Sequence, residues 1–528
     1  MEFIPKKNTK LYIVLLVIVF IIAILLRVLY LGKIPPGIHP DAAINALDAW
    51  CAFTTHHYQV FYEANFGREG LFINLVSFSF GLFGPTLVAY KLPGALIGII
   101  SVLGMYVFGI VAGRRQLVGL FAAFFMAISM WMILFERTGL RATVSVACVI
   151  WTSTFFILAL RHRRWYWYAL TGLFLGLGLY TYISFRLIPL MLLAAFFYYA
   201  WLRRKVTKAS FLITWHNHHG AVWTIFVATI VALPLGLYFF HHPEYIMSRA
   251  NEVSILSQPH PLALLAKSTL ANLSIFSFYG DPNWRHAIAR QPLLDPLQSI
   301  LFIMGIILVL RQVRKIQKTS KSGGVVDATI GVYILILFGG MILPAATTYS
   351  PGGIPHALRI INTAPAVYMF IAITAAMMFE WFWQKFVTKR RQIVLVTGAI
   401  FVLMTTVTAV SYFSSRWGQN EQIAHEYSQD YTNVSAHIKE WAQVGNRVYL
   451  VNTSNEVRFF TIATPNILQS SSLQLSDISS YNPDFIVITT NQASDQQYIN
   501  GLREKNWSDV GGLNLGEGGH PIIVLRKP

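Results

Sequence analysis

Two acidic residues and an arginine lie near the first long apolar segment of this 528-residue chain. Asp41 follows Pro40 soon after that segment, and Arg68 and Glu69 stand together before the next long one. A carboxylate held at a membrane surface is costly unless chemistry requires it. One positioned carboxylate is enough for general-base catalysis, in which it removes a proton from an attacking hydroxyl group. Asp41 is therefore the first candidate catalytic residue, and Glu69 is the second.

Both acidic positions also have purely structural interpretations. Residues 42–50 have apolar side chains spaced three and four apart, which predicts an amphipathic helix lying on the membrane. Asp41 would then be the N-cap of this helix, a position that aspartate favours. Arg68 and Glu69 would form a salt bridge at the interface. A capping aspartate can still be catalytic, because the helix start fixes its carboxylate in place.

A set of basic and aromatic residues follows at the ends of later apolar segments. Guanidinium groups suit phosphate recognition, so arginines repeated at such positions predict a phosphate-binding surface. For His356, taken alone, a structural role is the simpler expectation. The candidate donor-phosphate and substrate-binding residues are Arg68, Arg137, Arg141, Tyr182, Arg186, Arg285, His286, His356 and Arg359.

Composition identifies the class of protein. Hydrophobic residues make up 55% of the chain and charged residues 12%, and the mean hydropathy is +0.52. Charged residues make up about a quarter of an ordinary soluble protein, so this composition predicts a polytopic membrane protein. The net charge of +18 comes from short basic clusters between apolar segments, which mark membrane topology and predict no nucleic-acid partner. Cys51 and Cys148 have no metal-binding or disulfide spacing.

The lengths of the apolar segments predict a helical membrane domain over residues 11–413. A cytoplasmic tail is predicted at residues 1–10. Short basic loops favour the cytoplasmic side, and this pattern of spans places every basic cluster there. Residues 32–87 and 241–294 then form the two large external loops. The segment Leu71–Phe83 is too short to span a bilayer easily and is expected to lie along the outer face. The eleven predicted spans are 11–31, 88–112, 116–135, 141–160, 165–183, 185–202, 219–240, 295–311, 327–346, 359–384 and 392–413.

The chain changes character after Tyr412. From residue 414 to 528 the apolar runs shorten to strand length, at 447–451, 485–489 and 521–525. Helix-like stretches lie between them, around 420–443 and 493–505. These features predict a small extracytoplasmic α/β domain at the C-terminus.

The acidic and basic sets together describe one reaction. A lipid anchored in the bilayer, such as a polyprenyl phosphate bearing a sugar, would present its phosphate to the arginines. An acceptor hydroxyl group deprotonated by Asp41 would attack the anomeric carbon of the sugar from the opposite face. The arginines would stabilise the charge that develops on the departing lipid phosphate.

At these residues the chain resembles the GT-C glycosyltransferases, and within them the protein O-mannosyltransferases and lipid A aminoarabinose transferases. The resemblance covers about residues 11–380 and depends on the order of several short motifs. These motifs are Gly37–Ala43, Asn65–Leu71, the passage from Leu82 to Pro93, Arg137–Arg141, Gly280–His286 and Pro355–Arg359.

The resemblance implies an inverting transferase that uses a polyprenyl-monophosphate sugar, with Asp41 in the catalytic position of the first external loop. It also implies a GT-C fold and a plasma-membrane location. Many relatives have glutamate directly after this aspartate, whereas this chain has Ala42. The second acid is therefore Glu69 or is absent, and we expect no cofactor and no obligatory metal. The acceptor, whether protein, lipid or glycan, is left open.

Two other classes of function compete with this one. A transporter or flippase for lipid-linked sugars would also need many helices and a basic cavity, but it predicts ionisable residues near mid-membrane. The predicted spans contain few acids. A sensor with an external α/β domain would leave the loops around Asp41 and Glu69 without a role.

Overall fold

Long apolar helices make up most of this computed structural model, which describes residues 9–208, 219–246, 253–319, 324–349, 353–451, 453–470, 475–489, 493–510 and 522–528. The helices are α1 (Thr9–Val28), α2 (Pro40–Thr55), α3 (Leu71–Phe83), α4 (Leu87–Gly113), α5 (Gln116–Ala127), α6 (Met130–Arg137), α7 (Ala142–His162), α8 (Trp165–Gly178), α9 (Ile188–Thr207), α10 (Ala221–His241), α11 (Pro261–Ser274), α12 (Pro296–Thr319), α13 (Val325–Gly340), α14 (Leu343–Ala346), α15 (Ala364–Lys385), α16 (Arg390–Phe413), α17 (Glu421–Glu426), α18 (Gln429–Gln443), α19 (Asn455–Thr461), α20 (Leu475–Tyr481) and α21 (Ala493–Glu504). The strands are β1 (Phe61–Tyr62), β2 (Arg68–Glu69), β3 (Val448–Val451), β4 (Ile467–Ser470), β5 (Phe485–Thr489), β6 (Ser508–Asp509) and β7 (Ile522–Arg526).

The chain divides into two compact units. The first unit comprises Met1–Leu29, Gln59–Phe72 and Leu92–Arg416, and the second comprises Tyr30–Tyr58, Ile73–Lys91 and Trp417–Pro528. The second unit thus combines the C-terminal segment with two segments of the predicted membrane domain.

Nine helices in the described ranges are long and apolar enough to cross a membrane, and the bent pair α5 and α6 would make a tenth. Helices α10 and α16 bury few of their side chains inside the protein, and a bilayer would cover such apolar surfaces. The protein is a multi-pass membrane protein. The expected count of about eleven spans is not confirmed, because α8, predicted as the span 165–183, has only 14 residues. A perpendicular span needs about 20.

Ion pairs join the basic loops that were predicted to share the cytoplasmic side. In the first unit, Arg161 and Arg114 contact one oxygen of Asp327, at 3.0 and 3.3 Å. Arg115, next to Arg114, contacts Glu380 at 2.6 Å. Helix segments that are far apart in the sequence therefore meet the short loop that contains Arg114 and Arg115. Which side of a membrane this loop occupies stays a prediction.

The C-terminal segment forms a five-stranded sheet in the order β4-β3-β5-β7-β6. Strands β4, β3 and β5 are parallel, whereas β7 is antiparallel to β5 and β6. Alternate residues of β3 and β5 pack against α18 on one face and α21 on the other, which gives three layers. Strand β5 matches its predicted range, β3 and β7 begin one residue later than predicted, and Pro521 lies outside the described residues. The predicted α/β character of this segment is confirmed.

The predicted helix after Asp41 is α2, which packs against α19 in the second unit. Gly37 precedes it with a φ of +84°, and an added Cβ atom would lie 2.3 Å from the backbone oxygen of Tyr427. Only glycine fits this conformation and this close approach without strain. The chain entering α2 is therefore held directly against the C-terminal segment of its own unit.

Candidate active site

Asp41 lies in the first turn of α2 and is not the N-cap. His39 is the N-cap, and its Nδ1 accepts a hydrogen bond of 3.2 Å from the backbone N–H of Asp41. The expectation that Asp41 caps the helix was wrong, because Pro40 occupies the first helical position and moves the cap back to His39. The Asp41 carboxylate is partly exposed, 3.9 Å from the same Nδ1. The same ring nitrogen thus lies close to both the backbone N–H and the carboxylate of Asp41.

A two-stranded hairpin in the first unit positions Arg68 and Glu69. Strand β2, which consists of these two residues, pairs with Phe61 and Tyr62 of β1. Three consecutive residues with positive φ, ending at Gly67 with +85°, make the tight return between the strands. Both side chains are buried, and Arg68 Nε donates to the carbonyl oxygen of Ala64 at 2.9 Å. The hairpin therefore holds Glu69 on a rigid strand rather than on a loose loop.

Glu69 brings together two of the predicted arginines. Its Oε2 accepts a hydrogen bond of 2.7 Å from Arg141, and its Oε1 accepts one of 3.4 Å from Arg186. The guanidinium carbon of Arg141 lies 5.8 Å from the centre of the Tyr182 ring, a cation–π arrangement. Glu69, Arg141 and Tyr182 are buried, and Arg186 is partly buried. We call Glu69, Arg141, Tyr182 and Arg186 the arginine cluster.

Asn362 joins the segments that carry this cluster, and sequence reasoning missed it. Its Oδ1 accepts a hydrogen bond of 2.9 Å from Ser145, and its Nδ2 donates one of 2.9 Å to Ser184. All three side chains are buried. Ser145 follows Arg141 by one turn of α7, and Ser184 lies between Tyr182 and Arg186. The sequence did contain a signal, because Asn362 stands alone at the start of a long apolar segment. Burial of an asparagine side chain is costly unless its amide forms hydrogen bonds.

Arg137 contacts groups outside the arginine cluster. It is fully buried, and it donates to the carbonyl oxygens of Leu26 and Leu29 at 3.0 and 2.7 Å. Its guanidinium carbon lies 4.8 Å from the centre of the Tyr412 ring. These contacts satisfy carbonyl groups at the C-terminal end of α1 and favour a structural role over phosphate binding.

The remaining predicted residues form a second group in two loops of the first unit. His286 Nδ1 lies 3.1 Å from Asp281 Oδ2, which also accepts the backbone N–H of Ala357 at 2.7 Å. The rings of His286 and His356 are 4.7 Å apart between centres. Burial, together with His286, Arg359 and Arg285, holds the pKa of His356 well below its usual value.

Arg359 donates from one nitrogen to the hydroxyl oxygen of Thr348 at 2.7 Å and to the carbonyl oxygen of Tyr349 at 3.0 Å. Arg285 lies beside His286, with its backbone N–H held at 2.8 Å by the side-chain oxygen of Asn283.

A cavity of about 980 Å³ opens next to the segment that follows Arg285 and His286. Most of its lining is apolar, from residues 287–288 and 291–294 and from helices α12 and α16. Asp295 and Arg416 are the charged residues in its wall. The first unit thus has an apolar space adjoining one of its predicted basic segments.

The chain resembles known proteins both in sequence and in fold. Residues 71–233, which include Arg141, Tyr182 and Arg186, match the family described as dolichyl-phosphate-mannose-protein mannosyltransferase. The crystal structure of apo ArnT from Cupriavidus metallidurans is similar over 98% of both chains, with a TM-score of 0.53 and 11% sequence identity. The structure of that protein bound to undecaprenyl phosphate has a TM-score of 0.52, 12% identity and the same coverage. The predicted resemblance to GT-C mannosyltransferase-like and ArnT-like proteins is confirmed.

The apo oligosaccharyltransferase of Archaeoglobus fulgidus matches 92% of this chain and 70% of its own, with a TM-score of 0.49 and 12% identity. No curated protein sequence matches the chain significantly. At such low identities the ArnT likeness establishes the fold, which is the predicted GT-C fold, and leaves the roles of single residues as predictions.

Proposed function

We propose that this protein is an inverting glycosyltransferase that moves a sugar from a polyprenyl-phosphate donor to an acceptor hydroxyl group at the outer face of the membrane. The GT-C fold and the mannosyltransferase-family match support a membrane glycosyltransferase. The observation that carries the proposal further is the arginine cluster, in which Arg141 and Arg186 come from separate segments to one buried carboxylate.

The arginine cluster suits a lipid phosphate. Two guanidinium groups offer several N–H donors in planar forks that match phosphate oxygens. In a buried location their charges act more strongly on a developing negative charge than they would in water. The related ArnT was crystallised with undecaprenyl phosphate, which supports a polyprenyl monophosphate as the lipid part of the donor. The apolar cavity beside residues 287–294 has room for an isoprenoid chain.

Asp41 is the proposed general base. Its carboxylate removes the proton from the acceptor hydroxyl group, whose oxygen then forms a bond to the anomeric carbon of the sugar. The bond from that carbon to the phosphate oxygen breaks, and polyprenyl monophosphate leaves with the electron pair. The configuration at the anomeric carbon inverts in this single displacement. The bond from Asp41 N–H to His39 supports this role, because it fixes the helix start that carries the carboxylate.

Glu69 is better suited to position the arginines than to remove a proton. Both of its carboxylate oxygens are already engaged, one by Arg141 and one by Arg186. Asp41 is thus the only acid of the proposed pair with a partly exposed carboxylate. We propose further that transfer requires no cofactor and no magnesium ion, because Ala42 stands where many relatives have a second acid.

The competing function, a flippase for lipid-linked sugars, is less well supported. The buried ion pair of Arg27 and Glu136, 2.7 Å apart, lies at the ends of α1 and α6 rather than at their middle. The two functions differ in products, since a flippase moves the lipid-linked sugar across a bilayer without cleaving it.

The deciding experiment uses purified full-length protein with polyprenyl-phosphate hexoses and pentoses and with peptide, lipid and glycan acceptors. We expect consumption of one donor and release of polyprenyl monophosphate. Asp41→Asn should reduce the transfer rate by about 10²- to 10⁴-fold while donor binding stays measurable. Asp48→Asn, on the same helix, is the control and should keep its activity. Full transfer by Asp41→Asn would refute the assignment of the base, and intact donor appearing in the opposite leaflet of vesicles would favour the flippase.

A further inference from the structure

Three metal-ligating side chains meet in the first unit, at the junction of two loops. Asp281 and His286 come from the segment between α11 and α12, and His356 from the segment before α15. Each offers one ligand atom, and the three atoms lie within 4.8 Å of one another. Within the described ranges, this is the one group of three such residues arranged closely enough to hold a metal ion.

The two histidine rings have unsatisfied nitrogen atoms. His286 Nε2 and His356 Nδ1 are buried, and neither has a hydrogen-bond partner in the part of the chain that the structure describes. A buried polar atom without a partner is costly, and native structures seldom retain one without a reason. Two such nitrogen atoms in neighbouring rings point to a bound species that both could contact.

The backbone around the group is built to hold it. Asp281 Oδ1 accepts the N–H of Asn283 at 2.9 Å, and the carbonyl oxygen of Asp281 accepts the N–H of Arg290 at 2.8 Å. An added Cβ atom at Gly280 would lie 1.7 Å from the carbonyl oxygen of Gln291, so only glycine permits this turn. The N–H of His356 is held by Asn272 at 3.0 Å. Both loops are thus fixed independently of any ligand.

We propose that Asp281, His286 and His356 bind a divalent transition-metal ion of the zinc class. Two imidazole nitrogens and one carboxylate oxygen suit zinc and its neighbours, whereas magnesium prefers oxygen ligands. Zinc ligands stand roughly 3.3 Å apart at tetrahedral geometry, so small side-chain rotations must close the group on binding. The ion links the loop after α11 to the segment that leads into Arg359. This site goes beyond the proposed transfer reaction and does not involve Asp41.

Metal content is the direct measurement. Full-length protein without a polyhistidine tag is equilibrated with Zn²⁺, freed of excess ion and analysed by mass spectrometry for bound metal. We expect one zinc ion per chain in the wild type and loss of that ion in His286→Gln, His356→Gln and Asp281→Asn. His437→Gln, at an exposed histidine of the second unit, is the control and should keep the ion. Gel filtration confirms that each variant is folded.

A second measurement on the wild type alone guards against misfolded variants. Co²⁺ in place of Zn²⁺ should give the visible absorption of a metal with nitrogen ligands, and Zn²⁺ should raise the unfolding temperature where Mg²⁺ does not. Folded wild type without bound zinc, or variants with undiminished zinc, would overturn the proposal. Stabilisation by inorganic phosphate but not by Zn²⁺ would also overturn the proposal. Asp281, His286 and His356 would then belong to an anion-binding site together with the neighbouring Arg285 and Arg359. None of these outcomes bears on transfer by Asp41.

Discussion

Arg141 and Glu69 form a buried hydrogen-bonded ion pair of 2.7 Å between residues 72 positions apart in the chain. One partner lies on the β1–β2 hairpin and the other just before α7. Arg186 contacts the second oxygen of the same carboxylate at 3.4 Å and also donates to the carbonyl oxygen of Ile246 at 2.7 Å. Glu69 is therefore the one carboxylate that both arginines of the cluster share.

Substitutions of Glu69 test its proposed positioning role. Glu69→Ala leaves Arg141 buried without its carboxylate, and loss of one partner of a buried pair costs about 3–5 kcal/mol of folding free energy. Glu69→Gln keeps an acceptor oxygen and should cost less. We expect both variants to bind the donor more weakly, and Glu69→Gln to retain most of its turnover at saturating donor. Chemical or thermal unfolding in detergent and donor titration provide these values.

Glu63, directly after strand β1, offers a matched control. Its exposed carboxylate accepts a hydrogen bond of 2.9 Å from Tyr238, so Glu63→Ala should change stability by no more than about 1 kcal/mol. If Glu69→Gln instead abolished turnover with donor affinity unchanged, Glu69 would be a catalytic acid or base and not a positioning residue.

Sequence patterns predicted the bounds of helices and strands better than they predicted which side chains contact one another. Helix α3 and strand β5 have the predicted bounds because run length and apolar spacing are local properties. Arg137 and Arg141 were both predicted to bind the donor phosphate. They diverge because α6 ends at Arg137 and Gly139, with a φ of +71°, turns the chain before α7. The pairing of Arg141 with Glu69 depends on long-range packing, which no local spacing records.

His39 tests whether the start of α2 must be rigid for activity. His39→Ala removes the side chain that caps the helix, and loss of an N-cap costs about 0.5–2 kcal/mol. We expect a lower kcat, because the first turn carries the Asp41 carboxylate. His39→Asn supplies a side chain that is a strong N-cap and should restore both stability and kcat. A variant His39→Ala with normal kcat would separate the cap from catalysis.

Arg359 and Arg137 should respond differently to the same substitution. Arg359→Gln is expected to weaken donor binding by roughly tenfold or more, since a hydrogen bond to a charged group contributes about 1.5–3 kcal/mol. Arg137→Gln should mainly lower the unfolding temperature, because Arg137 satisfies carbonyl groups of α1. Donor titration and thermal unfolding of both variants give the comparison. Unchanged donor affinity in Arg359→Gln would count against its assignment to the phosphate.

Transfer should not depend on magnesium. Protein treated with a chelator and assayed with and without added Mg²⁺ is expected to transfer sugar at the same rate. A rate that falls on chelation and returns with Mg²⁺ would contradict the metal-independent mechanism at Asp41. A rate that returns only with Zn²⁺ would instead point to the loops held by Asp281, His286 and His356.

Asn362 should be required for donor binding although it is not among the residues predicted to contact the donor. Its amide bridges Ser145 and Ser184, so Asn362→Ala removes both links between segments that carry Arg141 and Arg186. Leaving buried hydroxyl groups unpaired costs about 1–3 kcal/mol of stability, and we expect donor affinity to fall with it. Thr363→Ala is the matched control, because it removes a buried bond to the nearby carbonyl of Ile360 only. Thr363→Ala should lower stability while leaving donor affinity unchanged, and equal affinity losses in the two variants would show that Asn362 has no special positioning effect.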